Sequence, residues 1–218
     1  MMDKSVQFYW QTRLAELKEA LEANNFEAFV AADAKEAGKI VLEEILPKLA
    51  PKSVAWGGST TFTATGLYEA LRKRKDLKVI DQYQKDLTHE QSIEIRRQEL
   101  HADMFFTGAN AVTEEGQLVN LDGTGNRVAA IAFGPKNVVV LVGRNKVMPD
   151  LESAMVRVKN FAAPANAIRL AKKTPCAKTA VCEDCSSPNR ICNVWTITEK
   201  SKPKGRIKVI LINEDLGL

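Results

Sequence analysis

Four cysteines are the residues whose spacing most directly predicts chemistry in this chain. They are Cys176, Cys182, Cys185 and Cys192, in a C-x5-C-x2-C-x6-C pattern near the end of the 218 residues. The central C-x2-C can place two thiolates on one ion, and the outer cysteines lie near enough in sequence to complete a tetrahedral sulfur site. Zinc and an iron–sulfur cluster both accept four thiolates, so the spacing leaves the choice between them open.

Redox-active free thiols and inert cysteines are the other interpretations of this pattern. Two features favour a metal. The segment 174–193 is polar and contains Pro175 and Pro188, so it has little apolar content with which to fold itself. The chain also lacks the features of a secreted protein, and clustered cysteines in a reducing compartment are more often metal ligands than structural disulfides.

The run Gly57-Gly58-Ser59-Thr60 follows an apolar tetrapeptide and precedes a helical pattern. Free backbone N–H groups at the start of a helix attract anions, and glycine allows close approach of the backbone. A tight turn with a serine cap explains the same residues equally well.

A second polar loop, which begins at Gly108 and Asn110, leads through Thr113 to Glu114. A carboxylate on a rigid β element would project into the same crevice as the first loop, as a nucleophile or base requires. The alternative is that Glu115-Gly116 is only a hairpin turn.

Two further glycine-bearing loops carry basic residues. Arg127, Arg144 and Lys146 are potential partners for a carboxylate or phosphate, although each alone could be a surface charge. We expect four loops to converge at one edge of a sheet and to form a ligand site. The predicted ligand-binding residues are Gly57, Gly58, Ser59, Thr60, Gly108, Asn110, Thr113, Asp122, Asn126, Arg127, Gly143, Asn145 and Lys146.

The elements that position these loops alternate between strands and helices. An amphipathic helix is predicted over residues 1–25, strands over 26–31, 53–56, 78–80, 103–107, 137–142, 195–198 and 207–212, and a hairpin over 111–121. Pro47 and Pro51 are expected to end the second helix. The alternation predicts a single α/β domain over 1–218, with a mainly parallel sheet covered by helices on both faces. Parallel sheets of this kind bind ligands at the carboxyl ends of their strands.

Composition argues against several classes of function. The net charge of +4 comes from 31 basic and 27 acidic residues, and the basic runs are not interleaved with aromatics, so nucleic-acid binding is not expected. No segment predicts secretion or a membrane span, so we expect a cytoplasmic protein. His89 and His101 are interpreted as surface or capping residues away from the loops. No nucleotide cofactor is predicted.

The motifs together resemble the LUD family of lactate-utilisation proteins in its stand-alone form. The resemblance is carried by residues 108–116, 126–129, 133–136 and 143–146, by Ala162-Ala163-Pro164, by Arg169, and by the cysteine segment. It implies a Rossmann-like fold of the superfamily that includes ribose-5-phosphate isomerases and CoA transferases. Thr113-Glu114-Glu115-Gly116 is similar to the hairpin that carries the nucleophilic glutamate of CoA transferases, which singles out Glu114. Many LUD proteins have a glutamate where this chain has Ala64.

The resemblance also implies a role in lactate oxidation with iron–sulfur partner subunits. We therefore expect a subunit or accessory factor that binds a small anionic metabolite and can form a homo-oligomer. The alternatives are a stand-alone enzyme of the isomerase or transferase type that uses Glu114, and a non-catalytic assembly module.

Overall fold

The structure, a computed structural model, describes residues 4–218, so the first three residues of the predicted helix 1–25 lie outside the described part. Strands and helices alternate along the chain. The strands are β1 Glu27–Ala31, β2 Ser53–Trp56, β3 Lys78–Ile80, β4 Met104–Gly108, β5 Ala111–Thr113, β6 Leu118–Asp122, β7 Asn137–Gly143, β8 Val147–Met148, β9 Val194–Thr198 and β10 Ile207–Ile212. The α-helices are α1 Lys4–Ala23, α2 Ala34–Lys39, α3 Leu46–Leu49, α4 Thr60–Ala64, α5 Leu67–Arg72, α6 His89–Glu99, α7 Asn126–Ala132, α8 Leu151–Arg157, α9 Ala163–Arg169 and α10 Pro175–Thr179.

The main sheet has six parallel strands in the order β1-β10-β7-β4-β2-β3. The side chains of its central strands pack alternately into two hydrophobic clusters, one on each face of the sheet. Val138 and Val140 of β7 pack into one cluster with α1, while Val139 and Leu141 pack into the other with the helices that follow β1 and β2. Because successive side chains of a strand point to opposite faces, both faces of the sheet are covered. The predicted Rossmann-like, mainly parallel α/β fold is confirmed.

A smaller sheet has the strand order β8-β5-β6-β9. The predicted hairpin is its centre, with β5 antiparallel to β6 and Ala111 opposite Val119. Both predicted closing strands form, but they belong to different sheets. β10 completes the main sheet, whereas β9 pairs antiparallel with β6. An isolated hairpin is marginally stable, and β9 covers its outer edge.

The expectation that Pro47 ends the second helix is wrong. The chain stays helical from α2 through the π-helical segment Ile40–Ile45 into α3, in which Pro47 lies in the first turn. The same arrangement recurs where the π-helical segment Val158–Ala162 joins α8 to α9 and Pro164. A first-turn proline needs no backbone N–H, and the wider π turn before it accommodates its ring.

No helix within residues 4–218 has the length and apolar character needed to cross a bilayer.

The assignment of residues 1–218 to one domain stays a prediction.

Candidate functional site

A cavity of about 450 Å³ lies at the carboxyl ends of the main-sheet strands. Its walls come from the loops after β2, β3, β4, β6 and β7 and from helices α6 and α9. Nine of the predicted ligand-binding residues line it: Gly58, Ser59, Thr60, Gly108, Asn110, Asp122, Asn126, Arg127 and Lys146. The structure therefore brings three of the four loops to one cavity, together with Lys146 of the fourth.

The other four predicted ligand-binding residues lie outside the cavity wall. Gly57 packs against the side chain of Arg127, and Thr113 is buried inside the hairpin, where its hydroxyl accepts a hydrogen bond from the backbone of Gln117. Gly143 and Asn145 contact residues 214–217, and the Asn145 side chain bonds the backbone of that segment.

Glu114 is not among the residues that line the cavity. Its carboxylate forms an ion pair with Arg13 of α1, and its backbone N–H donates to Met148. Gly116, two residues later, has φ 81°, the left-handed conformation of a hairpin turn. The hairpin therefore turns toward α1, and the expectation that Glu114 projects into the crevice is not met.

Arg127 ties the strand-end loops together. Its side chain is 11% exposed and lies beside Asp122, and its Nε donates a hydrogen bond of 3.0 Å to that carboxylate. Its five N–H donors bind acceptors from the surrounding loops, namely the side chains of Asp122, Asn110 and Asn120 and the carbonyl oxygens of Gly108 and Leu121. A guanidinium has five N–H donors, so this arrangement uses them all. Arg127 is therefore an organiser of the cavity wall, and no donor is left for a ligand.

Lys146 lies in the cavity wall with only 3% of its surface exposed. Its Nζ donates to the Thr61 hydroxyl at 2.8 Å and to the Ala109 carbonyl at 3.2 Å. Burial, together with the charges of Arg157 and Arg127, lowers its pKa to about 7. At neutral pH this side chain is therefore divided between its ammonium and amine forms.

The segment 213–218 lies against Lys146. The Thr61 hydroxyl donates to Leu216, and Gly217 takes φ 75° where an added Cβ would collide with the hydroxyl of Thr61. A second close approach occurs at Gly108, where an added Cβ would come within 2.6 Å of Ser59 Oγ. These two glycines let the backbone approach the strand-end loops.

Several cavity residues were not predicted as site residues. Helix α6 contributes His89 and Arg96, and the region of α9 contributes Arg169 and Lys172. The interpretation of His89 as remote from the loops is corrected, because α6 crosses the strand ends and its first residue lines the cavity. Arg169 had a signal in the sequence, since it belongs to the motifs shared with the LUD family. The others stand on α6 or just after α9, and the positions of these helices depend on tertiary packing.

A buried carboxyl group supports the wall behind Arg96. Glu99 is 1% exposed, and burial raises its pKa to about 8 despite the opposing charge of Arg96. One of its oxygens accepts a hydrogen bond from the side-chain amide of Gln82. The side-chain carbonyl of Gln82 in turn accepts a hydrogen bond of 2.7 Å from Arg96. The other oxygen of Glu99, Oε1, has no hydrogen-bond partner within the described residues. Glu99 therefore carries its proton at pH 7.

The four cysteines line a second, small cavity of about 20 Å³. They are free thiols, and burial raises the pKa of Cys192, with neighbouring Cys182 and Cys185 acting in the same direction. As placed among residues 4–218, no three Cys, His, Asp or Glu side chains are close enough together to hold an ion. The donor set suits a thiophilic metal, and the sulfurs would have to move together to bind it.

Comparisons with known proteins agree with the fold. The model of the LUD domain family matches residues 14–212 of the chain. A search of curated proteins finds no match. The crystal structure of a DUF162 family protein from Deinococcus radiodurans, at 1.70 Å resolution, is similar with a TM-score of 0.53 and 13% identity, over 94% of this chain and 98% of that one. At this identity the likeness supports the fold alone.

Replacing Arg127 tests its role as organiser. We expect Arg127→Met to lower the free energy of unfolding by about 3–5 kcal/mol, because it removes the ion pair with Asp122 and the hydrogen bonds that the guanidinium donates to four other acceptors. Urea denaturation measures the loss. The exposed Arg97→Met on α6 is the control and should change stability by less than about 0.5 kcal/mol. A cost below about 1 kcal/mol for Arg127→Met would contradict the assignment.

Glu99 predicts a pH dependence of stability. The unfolded carboxyl releases its proton near its ordinary pKa of 4.5, whereas the folded one keeps it to about pH 8. The contribution of Glu99 to the free energy of unfolding should therefore fall as pH rises through this window, by up to about 1.4 kcal/mol per pH unit. Glu99→Gln should remove the decline, and the exposed Glu94→Gln on the same helix should keep it. Parallel profiles for Glu99→Gln and the unsubstituted protein, measured by urea denaturation from pH 5 to 8.5, would refute this.

Proposed function

The chain belongs to the LUD domain family, and on that premise we propose that it is a lactate-utilisation protein whose strand-end cavity binds a small anionic metabolite. The ligand is a carboxylate, an acyl compound or a phosphate. The proposal includes a role as subunit or accessory factor beside iron–sulfur proteins that oxidise lactate, for which the family is the support.

The charge of the cavity is the observation that carries the proposal. Besides Arg127, four cationic side chains line it, namely those of Arg96, Lys146, Arg169 and Lys172. Asp122 is the one acidic side chain among the described lining residues, and Arg127 neutralises it. Cations gathered in a concave, partly desolvated site attract a negatively charged ligand more strongly than scattered surface charges do.

Arg96 and Arg169 are each anchored on one side of the guanidinium and open to a ligand on the other. Arg96 is fixed through Nε to Gln82 and through Nη1 to Thr124, and no described residue bonds its Nη2. Arg169 is fixed through Nε and Nη2 to Asn166, and no described residue bonds its Nη1. A guanidinium that is anchored on one side and open on the other loses little rotamer entropy when it binds a carboxylate or phosphate.

The size of the cavity favours a small, polar ligand. A volume of about 450 Å³ lies within the usual range for metabolite sites. Tyr83 is the one aromatic side chain among the described residues of the wall, and most of the other lining groups are polar. The binding energy is therefore expected to come from charge and hydrogen bonds.

The alternative of an isomerase or transferase that uses Glu114 gains no support from the geometry, because Glu114 contacts Arg13 instead of the cavity. An assembly module without a ligand does not explain why several cations converge on one concave site. We therefore favour ligand binding over both alternatives.

The binding site is tested by thermal unfolding in the presence of sodium lactate, pyruvate or phosphate. At least one anion should raise the melting temperature in a concentration-dependent manner. Arg96→Gln should weaken that ligand about 10- to 100-fold, since it removes a charge-assisted hydrogen bond worth about 1.5–3 kcal/mol. Arg97→Gln, the same change on the outer side of α6, should leave the affinity unchanged. The proposal is refuted if none of the three anions shifts the transition, or if both variants bind equally well.

Lys146 predicts how the affinity depends on pH. The ammonium form attracts an anion and is lost as pH rises through the pKa near 7, so affinity should fall by roughly tenfold between pH 6 and pH 8.5. Lactate and pyruvate are the suitable probes because their carboxylates do not titrate in this range. Lys146→Met should bind weakly at pH 6 and show a flatter profile by calorimetry.

Two controls separate the effect of Lys146 from the effects of other side chains. His89→Asn removes the imidazole in the cavity and should keep the slope of the unsubstituted protein. Lys136→Met, at an exposed lysine, should keep both affinity and slope. Lys146→Met should also unfold at no lower temperature than the unsubstituted protein, because it removes the cost of burying an amine. An unchanged pH slope in Lys146→Met would contradict this role.

A further inference from the structure

The four cysteines converge on one cavity although they come from different parts of the segment. Cys176 lies in α10, Cys182 and Cys185 lie in the irregular chain that follows, and Cys192 lies just before β9. All four line the cavity of about 20 Å³, together with Ala163, Pro164 and Ala167 of α9. Helix α9 therefore supplies an apolar back wall to a site whose soft donors are all sulfur.

The backbone around this cavity is held by groups other than the thiols. Arg190 donates to the carbonyl oxygens of Cys185 and Cys192 and to the carboxylate of Asp184. The Ser187 hydroxyl donates to the carbonyl of Lys173. The one hydrogen bond to a cysteine sulfur in the described chain joins Cys176 to the Thr174 hydroxyl. The fold thus organises the loop while leaving the thiols available.

We propose that Cys176, Cys182, Cys185 and Cys192 bind one zinc ion as a tetrathiolate. Binding would exchange four S–H protons for four Zn–S bonds of about 2.3 Å and leave a site with net charge −2. No oxidant or reductant is needed, because zinc and sulfur keep their oxidation states. Two cations, Arg190 and Lys159, contact the loop through Asp184 and offset part of the negative charge.

A single ion requires fewer components than an iron–sulfur cluster. As placed in the described chain, no three of the sulfurs are close enough together to hold an ion, so they would have to close around it. Zinc needs only the four thiolates that this loop supplies, whereas a cluster needs sulfide and several iron atoms in addition.

This zinc site adjoins the proposed anion cavity but does not depend on its function. Ile191 lines both cavities. Asn193 bonds the carbonyls of Asp122 and Gly123, which form the opposite wall. An ion that fixes the cysteine segment would therefore also fix one side of the anion cavity.

The test begins with metal analysis of the full chain, produced with zinc and iron both supplied and purified without oxygen. We expect one zinc per chain, no sulfide and no broad absorbance near about 400 nm. Cobalt exchanged for zinc should give the visible d–d bands and thiolate charge-transfer absorption of a tetrahedral sulfur site. Iron with sulfide, no metal, or a Cys182–Cys185 disulfide would each overturn the proposal.

Variants and proteolysis tie the metal to these four residues. Cys182→Ser and Cys185→Ser should each lower zinc affinity at least 100-fold in a chelator competition, while Ser186→Ala in the same loop should leave it unchanged. If a cysteine variant fails to fold, removal of zinc from the unsubstituted protein still decides the matter. Trypsin should then cleave after Lys178 or Arg190 at least tenfold faster, and added zinc should reverse the effect. Equal cleavage with and without metal would contradict the proposal.

Discussion

A largely buried guanidinium holds the strand-end loops of this protein in one arrangement. Arg127 satisfies acceptors on the loops that follow β4 and β6, and it pairs with the carboxylate of Asp122. A buried charge is costly unless it is paired and hydrogen-bonded, and here every donor has a partner. The arrangement leaves the wall of the cavity rigid, so that other cations can face its interior without the loops collapsing onto them.

Those other cations differ in their solvation. Lys146 is buried and its pKa falls to about 7, whereas Arg96 and Arg169 stand nearer to solvent. A site with guanidinium groups nearer to solvent and a titrating amine in its wall can attract an anion and adjust to its charge. The protonated Glu99 behind Arg96 adds no negative charge that would compete with the ligand.

The fold was largely predictable because hydrophobic periodicity records local structure. β2, β3 and β10 fall at their predicted positions, and Thr88 with Gln91 forms a capping box at the start of α6. The sequence did not predict that the helix continues past Pro47, because the continuation depends on a π-helical turn that sequence periodicity does not reveal. Among the candidate site residues, the loops were found because glycine and asparagine mark strand ends. The contributions of α6 and α9 were missed because their position is set by packing.

Glu114 illustrates the limit of reasoning from spacing. Its hairpin has the predicted form, yet the direction in which the hairpin faces depends on α1, whose Arg13 forms an ion pair with the carboxylate.

The most direct test of the central claim, that the strand-end cavity binds a small anion, is a crystal structure of the protein grown with sodium lactate or pyruvate. We predict ligand density bonded to Arg96, Arg169 and Lys146. Density only at other surfaces, with solvent alone in the cavity at saturating ligand, would contradict it.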